Sequence, residues 1–133
     1  MRKPSFIRKD ATVSVVNGGM WNDGRKLTLS RLLEYIPANE WDWYLYEIDA
    51  VGTAPHKMAM QDFEEQVLAS ATGMKFSWYE VKALADSLCD VKNVFMAALL
   101  KPVEYEFLCN GELDSCLSLV IVSDSTKWQV KII

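Results

Sequence analysis

Trp41-Asp42-Trp43-Tyr44-Leu45-Tyr46-Glu47-Ile48-Asp49-Ala50 sets four large aromatic rings and three carboxylates within ten residues. Aromatic and β-branched side chains suit a pleated, half-buried surface, so the stretch reads as a strand. Strand side chains alternate between faces. Trp41, Trp43, Leu45, Glu47 and Asp49 therefore fall on one side, and Asp42, Tyr44, Tyr46, Ile48 and Ala50 on the other. Neither side is purely apolar. The expectation is a divided strand whose Trp41, Trp43 and Leu45 receive helices while Asp42, Tyr44 and Tyr46 lie on an open sheet face. That assignment leaves Glu47 and Asp49 on the helix side, where they need partners or a position beyond the covered core.

Before this strand, Ala11 to Asn17 is rich in β-branched residues and reads as another, ended by Gly18-Gly19. A second turn signal, Asn22-Asp23-Gly24, leaves Met20 and Trp21 in a loop between the two. No G-x-x-x-x-G-K or G-x-G-x-x-G follows the strand, so these glycines read as turn chemistry, not a phosphate loop. Leu29, Leu32, Leu33 and Ile36 recur at helical spacing, with Thr28 as N-cap and Pro37 as stop.

After it, Val51 to Lys57 is a loop, and His56 sits there without a neighbouring carboxylate or nucleophile to serve. Met60, Phe63, Val67 and Ala71 share one helical face, with Gly73 placed to close the helix. Ser77 and Glu80 make a capping box and Phe76 and Val81 a hydrophobic staple, which starts a helix at Trp78. Its apolar side runs Trp78, Val81, Leu84, Ala85 and Leu88. Asn93 to Leu100 fits a buried strand or a helix by periodicity, and strand is the reading adopted.

Val103 to Cys109 alternates and reads as a half-solvated strand, with Asn110-Gly111 as a hairpin turn pair. Cys116 to Val122 is apolar on both faces, as in a central strand, and Thr126 to Ile133 alternates again after Asp124-Ser125. Together these elements predict an α+β fold: a mainly antiparallel sheet with amphipathic helices packed on one face, a two-layer single domain. The domain is expected over residues 11–133, after a flexible basic arm at 1–10.

The 133 residues suit one domain, and half are hydrophobic. Met1 to Lys9 holds Arg2, Lys3, Arg8 and Lys9 and no acid, leaving 10 basic against 18 acidic side chains in the remainder. An acidic body of this kind repels nucleic-acid phosphates and steers basic partners toward it. No apolar run approaches the roughly 18 to 20 residues of a membrane span, and no apolar segment follows the basic start as in a signal peptide. Three cysteines, an odd number, fit buried thiols in a reducing compartment, and the cytoplasm is the expected location. With His56 the sole histidine and no C-x-x-C, neither a metal nor another cofactor is expected.

Carboxylates are the one reactive group present in number: Asp42, Glu47 and Asp49, then Glu104 and Glu106 beside Tyr105, then Glu112 and Asp114. A glycosidase holds two carboxyls about 5 to 10 Å apart, but acids alternating along a strand ordinarily mark a solvated face. No G-x-S-x-G supports a serine nucleophile. Aromatics interleaved with acids suit a protein partner with a basic surface, since Tyr and Trp dominate interface hot spots and carboxylates match Lys and Arg. The expected partner-binding rim is Asp42, Tyr44, Tyr46, Glu104, Glu106 and Lys127.

F-S-W-Y-E-V (Phe76 to Val81), L-A-D-S-L-C-D-V (Leu84 to Val91) and V-I-V-S-D-S-T-K-W-Q-V (Val120 to Val130) in a small acidic chain resemble immunity proteins of bacterial toxin–immunity systems, including contact-dependent growth inhibition and polymorphic toxins. The resemblance implies a stoichiometric inhibitor of a cognate toxin, often a nuclease, without catalysis or cofactor, and transfers no binding residue. The alternative expectation is a small carboxylate-dependent enzyme or ligand-binding domain with a pocket between sheet and helices.

Overall fold

A computed structural model describes residues 14–133. The basic arm expected at 1–10, and the first residues of the domain expected from 11, lie outside the described residues. The order is β1 (Ser14–Gly19), a short ribbon of β2 (Trp21–Asn22) and β3 (Arg25–Lys26), α1 (Leu29–Leu33), β4 (Trp43–Gly52), α2 (Met60–Ala69), β5 (Met74–Phe76), α3 (Trp78–Asp86), β6 (Leu88–Leu99), α4 (Tyr105–Cys109), β7 (Cys116–Ser123) and β8 (Lys127–Ile132). Six strands form one antiparallel sheet in the order β1-β8-β7-β6-β4-β5. The expected α+β class is what the chain adopts.

Local chemistry places several ends as the sequence predicts. The Ser77 hydroxyl accepts the Glu80 N–H (3.1 Å) while Glu80 accepts the Ser77 N–H (2.8 Å), closing the capping box of α3. Thr28 caps α1 in the same way, accepting the Arg31 N–H at 3.3 Å. Asp23 and Gly24 both take positive φ and turn β2 into β3; Asp124 and Ser125 do the same between β7 and β8. Asn93 to Leu100 is strand, and β6 starts earlier still, at Leu88.

Helices α1, α2 and α3 cover one face of the sheet, and the main core lies between. Leu32, Phe63, Val67, Trp78, Val81 and Leu84 meet Trp43, Leu45, Ile48, Met96, Val120 and Val130 there. Met20, expected in a loop, is fully buried in this core.

The difficulty over Glu47 and Asp49 is resolved by a β-bulge. Leu45 opposes Met96 and Glu47 opposes Phe95, so Tyr46 is an extra residue on β4. The bulge reverses sidedness: Ile48 joins Trp43 and Leu45 on the helix side, while Glu47 and Asp49 turn to the opposite face. Strict alternation, assumed from sequence, fails at this one residue.

Two further expectations are corrected. Val103 to Cys109 is not a strand; Tyr105 to Cys109 forms α4, because Tyr105, Leu108 and Cys109 also satisfy helical spacing and Pro102 has already ended β6. Asn110-Gly111 is not a hairpin turn but the end of that helix. Gly111, at φ +85°, donates to the Leu108 carbonyl (3.1 Å) and Glu112 to that of Phe107 (2.9 Å), a Schellman closure. Gly73 does not close α2, which ends at Ala69. It lies left-handed in the following turn, and its N–H donates to the Ser70 carbonyl at 3.1 Å.

Candidate protein-binding surface

The second sheet face is divided. The segment containing α4 lies over β4, β6 and the start of β7 and closes a smaller core of Tyr44, Tyr46, Phe95, Ala97, Leu99, Leu108, Cys116 and Leu119. Tyr44 and Tyr46, expected on an open face, are therefore buried. A phenol is mostly apolar surface with one polar end, and the Tyr46 hydroxyl finds its partner in the Val103 carbonyl just before α4.

Three rings lock this layer to the sheet. Tyr46 meets Phe95 edge to face at 5.9 Å and Tyr105 at 5.8 Å, and Phe95 meets Tyr105 at 4.9 Å. The Tyr105 N–H also donates to the Ala71 carbonyl (3.4 Å), tying α4 to the turn after α2. Tyr105 remains 41% exposed and Phe107 43%, with Glu104 and Glu106 exposed around them. Through the bulge, Glu47 joins Tyr105 on this side, close enough to oppose its ionisation. Tyr105 is thus a half-exposed ring backed by Tyr46 and Phe95 with carboxylates near it, while Phe107, two positions on along the helix, projects to a different side.

The ionisable groups beneath it are held neutral. Burial pushes the Cys116 thiol from 9.0 up to about 11, although its hydrogen bond to the Ser118 carbonyl (3.2 Å) and Lys131 act the other way. Desolvation, with Cys116 and Tyr44 nearby, raises Tyr46 from 10.0 to about 12. Tyr105 also rises to about 12, chiefly through its side-chain hydrogen bond with Cys109, then by burial. The unfolded chain ionises these groups at lower pH than the folded one, so their contribution is complete below about pH 9 and declines as pH rises toward 11 and 12. Urea midpoints measured from pH 8 to 11 should fall, with Cys116 contributing of order 2 kcal/mol. In Cys116→Ala the fall between pH 9 and 11 should be shallower; an equal slope would show that this thiol is not held neutral by the fold.

Of the expected rim, Glu104 and Glu106 are exposed, and Glu104 follows the Val103 carbonyl that the Tyr46 hydroxyl meets. Asp42 is exposed and paired with Lys75 at 3.6 Å, about 13 Å along β4 from Tyr46. Lys127 lies apart, on β8, three strands from β4. The residues missed were Tyr105 as a half-exposed ring on this side and Glu47 as its neighbour; the helical spacing of Tyr105 and Leu108 carried the first signal, and nothing local marked the bulge.

Beyond the α4 layer, the half-face formed by β1, β8 and β7 carries a broad depression of about 740 Å³ lined by Asn17, Gly19, Ile121, Ser123, Lys127 and Gln129. A pocket of about 180 Å³ between α1 and α3 contains Glu34 and Asp86, but Asp86 is occupied by the Ser30 hydroxyl at 2.6 Å. Near His56 a third, of about 230 Å³, contains Glu80, which is committed to its capping box. Among the described residues no cluster of three or more His, Cys, Asp or Glu is arranged to hold a metal, and no helix is long and apolar enough to cross a membrane. Comparison with protein-family models, with curated proteins and with solved structures finds no match.

Proposed function

We propose that the protein is a non-catalytic, stoichiometric inhibitor that neutralises a cognate bacterial toxin domain of basic surface, such as a nuclease, in the cytoplasm. One observation carries this reading: Tyr105, half exposed at the start of α4, rests on Tyr46 and Phe95 with Glu47 near it, and Glu104 and Glu106 flank it in the chain as exposed carboxylates. Rigid aromatic anchors lose little entropy on binding, and carboxylates around them select Lys and Arg and speed association. An acidic whole, net −4, adds long-range steering of the same sign.

The test uses the toxin domain encoded beside this gene, in a one-to-one binding titration and a growth-protection assay. Glu104→Lys with Glu106→Lys should weaken binding by roughly 100-fold and reduce its salt dependence, leaving the fold intact because both side chains are exposed. Lys127→Glu, on the far half of the sheet, should leave affinity unchanged. Unaltered affinity in the double variant would remove the α4 surface from the interface, and absence of any complex would remove the function.

A further inference from the structure

The two edges of the six-stranded sheet are finished differently. At one edge, β5 pairs only with Trp43 to Leu45 of β4, and α2 then takes over: the Ala50 N–H donates to Glu64 Oε2 at 2.9 Å. At the other edge lies β1, and among the described residues no strand pairs beyond it. Natural sheet edges are commonly blunted by charge, proline or a bulge. Ser-Val-Val-Asn-Gly-Gly has none of these, and its register with β8 is unbroken from Ser14 to Gly19.

The direction of its free backbone groups follows from the ladder. Met20 donates to the Thr126 carbonyl (2.8 Å) in the same register that opposes Gly18 to Trp128 and Val16 to Val130. Opposed residues alternate between hydrogen-bonded and non-bonded pairs, so Val16 and Gly18 bond to β8, and Val15, Asn17 and Gly19 direct their N–H and C=O groups outward. The Gly19 carbonyl is met by the Trp128 indole N–H at 3.2 Å.

On the helix side, the Trp128 indole lies over Gly18 and takes the place of a side chain there, since a Cβ would stand 3.2 Å from its nitrogen. Tyr35, 50% exposed, stacks on Trp128 at 5.2 Å, and Trp21, 60% exposed, follows directly after the strand.

We propose that β1 is the interface of a homodimer, in which a second copy pairs with it antiparallel to continue the sheet across both molecules. Outward-directed residues must oppose outward-directed residues, and the symmetric register that uses all three sets Asn17 against Asn17 of the partner subunit. Val15 then opposes Gly19 of the partner subunit, and Val16 opposes Gly18 of the partner subunit. The branched side chain of Val16 then stands opposite a glycine and not another branched side chain, twice over, by symmetry. About four backbone hydrogen bonds close without using the Gly19 carbonyl. The six residues carry no charge on a molecule of net −4, so two copies meet here without opposing like charges within the strand. Self-complementarity of one uncharged hexapeptide is what selects a second copy over an unrelated strand.

Sedimentation equilibrium of the full chain from roughly 1 to 500 µM should show mass rising above 15.1 kDa toward its double. Amide exchange at Asn17 and Gly19 should slow as concentration rises. Asn17→Lys, exposed in the single chain, should weaken the dimer at least about 10-fold by setting two ammonium groups face to face. Asn17→Pro should do the same, because the N–H it removes serves no bond to β8. A chain monomeric throughout the range overturns the proposal, as does a dimer indifferent to both variants. Protection of these two amides in a monomer would also overturn it, by showing that the edge is covered from within the chain. Glu104→Lys with Glu106→Lys should leave dimerisation untouched, which separates this interface from the toxin-binding surface.

Discussion

Trp43→Ala lowers stability by about 3 to 5 kcal/mol in urea unfolding, a large part of the roughly 5 to 15 kcal/mol that holds a domain of this size together. Trp43 is 0% exposed. Its ring stacks on Trp78 at 5.3 Å and lies 6.2 Å from Trp41, and its backbone opposes Phe76 on β5 and Ala98 on β6. Removing the indole empties the point where α3, β4 and β5 meet, and rigid neighbours on three sides cannot close the cavity. The indole N–H also donates to Asn39 Oδ1 at 3.1 Å, the atom that accepts the Trp41 N–H. Trp43→Phe should therefore recover much of the packing but not this bond, and fall between the two. A loss below about 1 kcal/mol for the alanine variant would mean that α3 does not dock as described.

Gly52→Ala should cost about 3 kcal/mol or more. Gly52 sits at φ +152°, where a side chain is strained, and a Cβ would stand 2.4 Å from the Ser87 carbonyl oxygen and 2.6 Å from the Leu88 Cα. Both are backbone atoms, so no rotamer change relieves the overlap. The junction has little freedom to move: Thr53 donates to the Ser87 carbonyl (3.0 Å), and the Ser87 hydroxyl donates to that of Thr53 (2.7 Å). Gly111 provides the control, since it too has positive φ but a Cβ there meets nothing within 4 Å. Gly111→Ala should cost only about 1 kcal/mol, and equal losses at the two sites would show that conformational strain alone, without the clash, governs Gly52.

What was legible in the sequence was local. The Ser77 capping box, the Thr28 cap and the apolar run into Leu99 each depend on neighbours a few positions away, and each stands where the pattern puts it, whereas α1 ends at Leu33, ahead of the expected stop at Pro37. Val103 to Cys109 misled because seven residues are too few to separate a period of 2 from one of 3.6. The fate of Tyr44 and Tyr46 was not written near them at all. It depends on a segment more than fifty positions later folding back over the sheet, with Val103 supplying the carbonyl for Tyr46. The surface chemistry fared differently for the same reason: Glu104 and Glu106 were visible as exposed acids, but grouping them with Tyr105 and Glu47 required the bulge.

The pairing of β1 with β8 joins residues as far apart in the chain as Ser14 and Ile132, 118 positions. On the ribosome the first of these strands waits roughly ten seconds or more for its neighbour to be made. The helices α1, α2 and α3 and the strands β4, β5, β6 and β7 have all emerged by then. Closing so long a loop brings no contact until it is complete. Among the described strands, the first to be synthesised thus pairs only with the last.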